Sequence, residues 1–322
     1  MAYQTTDIPK FTDESAYHRI LRKVANRISA LDGVEAIYQI GGISSPGISD
    51  LDMVVVFQND FKCSYNIHDS LSEEEKYLFI HKLYGTSLDH FHESSRFSFF
   101  QNYSLIGGKE IIQNKIEDHG SADKVKTQIA LEYMLKMYVN LTLQDTYKII
   151  QARSLLLHGK ALSYDVSYLG SSAARLSALV SDLLDIRKNW FESNSNTRRL
   201  SEWFRAIYMI YPEVLESVIR EKGFYLDGNF SKKIARNISL IQSEKLQSSH
   251  KGFRFPAFPV NFLGKKYFRL MNRFNTFEFK VPYQAVEVPS ELRDYFDFQS
   301  GQRNYNRNFL PHFYPLSSSL LA

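Results

Sequence analysis

Apolar residues recur at helical spacing from the start of the folded chain: Tyr17, Ile20, Leu21, Val24, Ile28 and Leu31 share one face. With Thr12 or Asp13 as cap, this predicts a helix over about 13–31 whose stripe packs on a sheet. The pattern then turns strand-like, with predicted strands over about 34–40 and 51–57 separated by a polar, glycine-containing loop. A helix over about 72–84 follows, opened at Ser72 by Glu73, Glu74 and Glu75, acids well placed at a helix N-terminus. Leu88, His90 and His92 alternate with Ser87, Asp89 and Phe91, which predicts a strand over 86–92. Leu105-Ile106-Gly107-Gly108-Lys109 reads as a turn ending this domain.

Past the Asp118-His119-Gly120-Ser121 break the spacing becomes helical, with Ile129, Tyr133, Met137 and Leu141 four residues apart. Apolar character continues to His158-Gly159, read as a helix stop. Further helices are predicted over about 171–191 and 198–221, joined by a polar loop at 193–197. From Phe253, prolines at 256, 259, 282 and 289 predict short strands and loops wrapping the body. The expected class is α+β: a small mixed-sheet domain over 1–118, a helical domain over 119–250, and an aromatic, basic C-terminal wrap over 251–322.

Composition narrows this picture. A 322-residue chain with 44% hydrophobic residues can bury a sizeable core. Its one cysteine, Cys63, excludes an intrachain disulfide and a multi-cysteine zinc site, and reads as a small packing residue. The N-terminus lacks the basic and apolar regions of a secretory signal, and no apolar run approaches the roughly 20 residues that span a bilayer. A cytoplasmic location and no membrane partner are therefore expected.

The segment of most chemical interest is 37–57, IYQIGGISSPGISDLDMVVVF. Side chains alternate along a strand, so Asp50 and Asp52 project from one face and Leu51 turns into the core. Two carboxylates so placed can hold a hard divalent cation shared with a substrate's phosphates, which suits a metal-bound nucleoside triphosphate. Gly41 and Gly42, without side chains, let the backbone approach those phosphates. Ser44 and Ser45 offer hydroxyl donors to phosphate oxygens, as serines in any turn would. Lys109 is a candidate phosphate contact or a solvated turn lysine.

This arrangement resembles the signature of the DNA polymerase beta-type nucleotidyltransferase superfamily: apolar strand, Gly-Gly or Gly-Ser, loop, Asp-x-Asp, apolar strand. Ile37 to Ile40, Gly41, Gly42, Asp50, Asp52 and Met53 to Phe57 match it in order, over the N-terminal third only. Seven residues separate Gly42 from Asp50, a shorter loop than members usually have. The resemblance implies a nucleotidyltransferase palm with a helical region behind it. It also implies Mg2+ or Mn2+, an NTP substrate such as ATP, and transfer of an NMP to a hydroxyl on a small molecule, protein or RNA with release of pyrophosphate. A third carboxylate from a later strand would complete a two-metal site. Asp89 is the candidate, as metal ligand and as aid to deprotonation of the acceptor, with Glu93 in reserve. His90 and His92 form a His-x-His pair, better suited to polar contacts than to a metal without a third ligand.

Two other readings compete. The short loop fits a nucleotidyltransferase-fold binding or scaffold protein without turnover. Arg153 and His158 are similar to the Arg-x4-His element of HEPN ribonucleases, although a histidine beside Gly159 also suits a helix end. Finally, net charge is +4, and from Lys251 onward ten Lys or Arg face five Asp or Glu among many phenylalanines. That mixture can contact RNA, or form a phenylalanine core whose neighbouring cations face water.

Overall fold

The computed structural model describes residues 3–94, 96–97, 102–112, 123–193, 195–226, 230–253 and 255–316. It contains two compact units, Phe11–Lys126 with Ser290–Leu320, and Met1–Lys10 with Thr127–Pro289. Helices and mixed sheets together make the chain α+β.

In the first unit the opening helix runs Glu14–Ser29, with the Asp13 carboxylate accepting from the Ser15 N–H. Its apolar face, from Tyr17 to Ile28, is buried against one side of a five-stranded sheet. The strand order is Tyr314–Pro315, Tyr84–Ser87, Asp52–Phe57, Val34–Ile40, Tyr103–Gly108. Asp52–Phe57 is antiparallel to Val34–Ile40, with Ile40 opposite Asp52. It is parallel to Tyr84–Ser87, with Val54 opposite Tyr84 and Phe57 opposite Ser87. Alternation divides the central strand as expected: Leu51, Met53, Val55 and Phe57 join the core under the first helix, while Val54 and Val56 face Tyr38, Ile40 and Phe91 on the other side.

Several local expectations are corrected. The helix begun at Ser72 has a full capping box with Glu75 but spans only Glu73–Leu78. The strand expected over 86–92 ends at Ser87 and gives way to a helix over Leu88–Ser94. Ser87 Oγ accepts from the His90 N–H at 3.3 Å, and Leu88 and Phe91 have helical i, i+3 spacing. The segment read as a turn around Gly107 is the Tyr103–Gly108 strand, paired with Val34–Ile40. The 118–121 break lies outside the described residues.

In the second unit a helix over Asp123–Tyr147 leads to the short strand Ile149–Gln151, parallel to Gln4–Thr6. The next helix, Ala152–Leu169, does not stop at Gly159. There a Cβ would stand 2.0 Å from Leu183 Cδ2, so Gly159 permits close helix packing and does not end the helix. Helices Ser177–Lys188 and Asn196–Lys222 follow, near the predicted bounds. Within 231–281 lies a four-stranded sheet, Ser231–Ala235, Ile238–Gln242, Asn275–Val281, Gln247–Gly252, most of it outside the sequence expectation. The segment read as a wrap of strands and loops instead contributes helices at Lys265–Phe274 and Ser290–Phe309, and the latter belongs to the first unit.

Candidate metal centre

The Gly41-Gly42 turn and the two aspartates meet at one end of the five-stranded sheet because Ile40 pairs with Asp52. Gly41 has φ +69°, in the region that favours glycine, and space around both glycines is open: a Cβ would meet nothing within 4 Å. The loop between is tied down from beneath. The buried Tyr17 hydroxyl accepts from the Gly47 N–H at 2.9 Å and donates to the Ser49 carbonyl at 2.8 Å, and the Tyr77 hydroxyl donates to the Gly47 carbonyl at 2.6 Å. Ser45 accepts the Ile48 and Ser49 N–H groups through its carbonyl, forming a compact turn. Ile48 and Ser49 are buried, whereas Ser44 and the two glycines face solvent.

Asp50, Asp52 and His81 each offer a ligand atom, and these atoms lie within 4.8 Å of one another. His81 arrives through the parallel pairing of Tyr84–Ser87 with Asp52–Phe57, which sets the residues just before Tyr84 beside the start of the aspartate strand. Its Nδ1–H donates to the Lys82 carbonyl at 2.6 Å, leaving Nε2 toward the carboxylates. That is the usual way a metal-binding imidazole is oriented. Nε2 stands 2.8 Å from Asp52 Oδ1 as an ion pair, yet Oδ1 is buried and has no hydrogen bond of suitable geometry. Burial pulls the His81 pKa down, but the Asp52 contact and charge, the Lys82 carbonyl and the Asp50 charge outweigh it and raise the pKa to about 8. Tyr84 and Tyr314 flank His81 at 5.4 and 5.7 Å between ring centroids. Burial, with the charges of Asp52 and Asp50, holds the Tyr84 hydroxyl in its neutral form. A buried carboxylate oxygen whose close neighbour is an oriented imidazole nitrogen, converging with a second carboxylate, fits a divalent cation once the imidazole proton is displaced.

The other predicted residues lie elsewhere. Asp89 follows Ser87, which pairs with Phe57, so it sits beyond the opposite end of the strand that Asp52 begins. At about 3.3 Å per residue the five steps from Asp52 to Phe57 separate the two ends by about 16 Å. Asp89 is exposed and its N–H donates to Asn59 Oδ1. Glu93 is exposed on the same helix. His90 and His92, two apart on a helix, point about 160° from each other, not to one face. His90 Nδ1 instead lies 2.7 Å from Ser87 Oγ. Lys109 is likewise at the far end of the sheet, 3.3 Å from Glu35 Oε2. Arg153 is buried, and the His158 Nδ1–H donates to the Ser154 carbonyl at 2.6 Å. Burial and then the Lys136 charge push the His158 pKa down to about 4.

His81 was missed because nothing local marks it; its role follows from strand register. No described helix is long and apolar enough to cross a membrane. No protein-family model, no curated protein and no solved structure matches this chain.

Proposed function

We propose that the first unit is a metal-dependent nucleotidyltransferase. The observation that carries this reading is the convergence of Asp50, Asp52 and His81 beside an open glycine turn. A divalent cation held by these three residues, Mg2+ or Mn2+, would neutralise triphosphate charge and polarise the phosphorus under attack. The Gly41-Gly42 backbone and the exposed Ser44 give the phosphates an approach free of side-chain obstruction. Tyr17 and Tyr77 keep that loop in place. In the transfer, an acceptor hydroxyl oxygen bonds to the α-phosphorus as the bond to the bridging oxygen breaks. Pyrophosphate leaves and the acceptor proton passes to solvent.

The resemblance called for a third carboxylate from a later strand, with Asp89 as its candidate; the third candidate ligand in this group is instead His81. Imidazole suits Mn2+ and later transition ions better than Mg2+, so the site is expected to favour Mn2+. ATP remains the first nucleotide to test. The experiment is calorimetric titration of ATP, GTP, CTP and UTP with Mg2+ or Mn2+, on wild type and on the Asp50→Asn, Asp52→Asn double variant. Metal-dependent binding lost in the variant supports the reading, and absence of binding to wild type rejects it.

A second reading, nucleotide binding without turnover, draws on a specific observation: among the described residues the metal-capable group includes two carboxylates and no third. Release of pyrophosphate with any hydroxyl acceptor excludes it.

A further inference from the structure

The second unit exposes an apolar surface flanked by cations that the proposed transfer does not use. Between Lys251 and Phe274 the sequence has six Lys or Arg and no Asp or Glu. In the same stretch Phe262 is 84% exposed, Phe253 67%, Phe258 59%, Phe274 and Leu263 50% each, and Leu270 39%. The Lys265–Phe274 helix buries Tyr267 and Met271 and presents Lys266, Arg269, Leu270, Arg273 and Phe274 to solvent. Lys266, Leu270 and Phe274 are four residues apart and so lie along one stripe. Phe274 continues into Phe255 and Phe253 through ring contacts of 5.9 and 6.3 Å. Among the described residues, Lys266, Arg269 and Arg273 form no ion pair, and Lys251 reaches Glu278 only at 3.8 Å. The ring contacts, with the Tyr267 hydroxyl donating to the Pro256 carbonyl at 2.6 Å, draw Phe253, Phe255 and Pro256 toward the helix, and contiguous exposed apolar surface marks a binding site.

We propose that this face docks the protein on an anionic lipid surface. Unpaired cations without intervening acids complement anionic headgroups, and exposed Phe and Leu side chains between them can enter the headgroup and acyl boundary. The surface would be held at the interface and not inserted across the bilayer. A single-stranded nucleic acid would also meet the cations, but the apolar part fits it poorly. Bases stack on single ring faces, which phenylalanines offer, but stacking leaves the aliphatic part of this surface without a partner. Leu263 and Leu270 have no aromatic face at all.

The test is co-sedimentation of the full chain with phosphatidylcholine vesicles, with and without phosphatidylserine. It is run on wild type, on Phe258→Ser with Phe262→Ser, and on Lys266→Glu with Arg273→Glu. All four positions are exposed, and circular dichroism checks that each variant is folded. Binding of wild type to phosphatidylserine vesicles, weakened at least about ten-fold in both variants, supports the proposal. Three results overturn it: no binding to phosphatidylserine vesicles, binding of a labelled RNA oligonucleotide in their place, or a wild-type dimer that the serine variant dissociates without vesicle binding.

Discussion

His81 Nε2, just ahead of the Tyr84–Ser87 strand, lies 2.8 Å from Asp52 Oδ1 at the start of the parallel neighbouring strand, although 28 residues separate them in sequence. Neither the carboxylate oxygen nor the ring nitrogen is otherwise engaged in a well-formed hydrogen bond among the described residues. With the His81 pKa raised to about 8, the pair shares a proton at neutral pH, and a cation that takes both groups as ligands must displace that proton.

That relationship predicts how metal binding responds to mutation. Mn2+ should raise the thermal midpoint of the wild type, and Asp52→Asn should abolish the rise. His81→Ala should weaken Mn2+ binding at least about ten-fold while weakening Mg2+ less, because imidazole is the softer ligand. Calorimetry on the three proteins reads both effects. Equal Mn2+ affinity in wild type and Asp52→Asn would remove the aspartate from the site.

Of the two hydroxyls that hold the loop beside the glycines, Tyr17 makes two hydrogen bonds and Tyr77 one. Tyr17→Phe leaves the Gly47 N–H and the Ser49 carbonyl without that partner, at a cost of about 1–3 kcal/mol. Faster hydrogen exchange at Gly47 and weaker metal binding are expected, with the Glu14–Ser29 helix retained. Unchanged exchange at Gly47 would mean that Tyr17 does not hold the loop.

What the sequence disclosed follows the range of the interactions involved. The first helix, its Asp13 cap, the Val34–Ile40 strand and the inward turn of Leu51 depend on neighbours a few residues away, and all were legible. His81 was not, since its placement needs the Tyr84–Ser87 strand to pair in parallel with Asp52–Phe57. Asp89 misled for a local reason: in 87–92 alternation and an i, i+3 pattern coexist, and the Ser87 cap decides for helix. Gly159 looked like a helix stop because its packing partner, Leu183, lies on another helix.

That packing makes Gly159→Ala destabilising although alanine is the better helix former by about 1 kcal/mol. The added methyl would overlap Leu183 Cδ2, and overpacking of this kind costs about 1–3 kcal/mol. Urea unfolding should register the loss, and Leu183→Ala should relieve it when combined with Gly159→Ala. If the double variant is no more stable than the sum of the single changes gives, the two positions do not conflict.

Asp165 should impose a pH dependence on the second unit. Burial raises its pKa from 3.8 to about 8, so between these values the folded state holds a proton that the unfolded state releases. Its contribution to stability is therefore fully present below about pH 4 and is lost as pH rises through about 8, at about 1.4 kcal/mol per pH unit. Asp165→Asn removes the titration. The stability difference between variant and wild type, in which other titrating groups cancel, should shift toward the variant by about 2 kcal/mol from pH 6.5 to 8. Urea midpoints of both proteins across this range provide the measurement. A constant difference would show that the Asp165 carboxyl is already ionised in the folded state at pH 6.5.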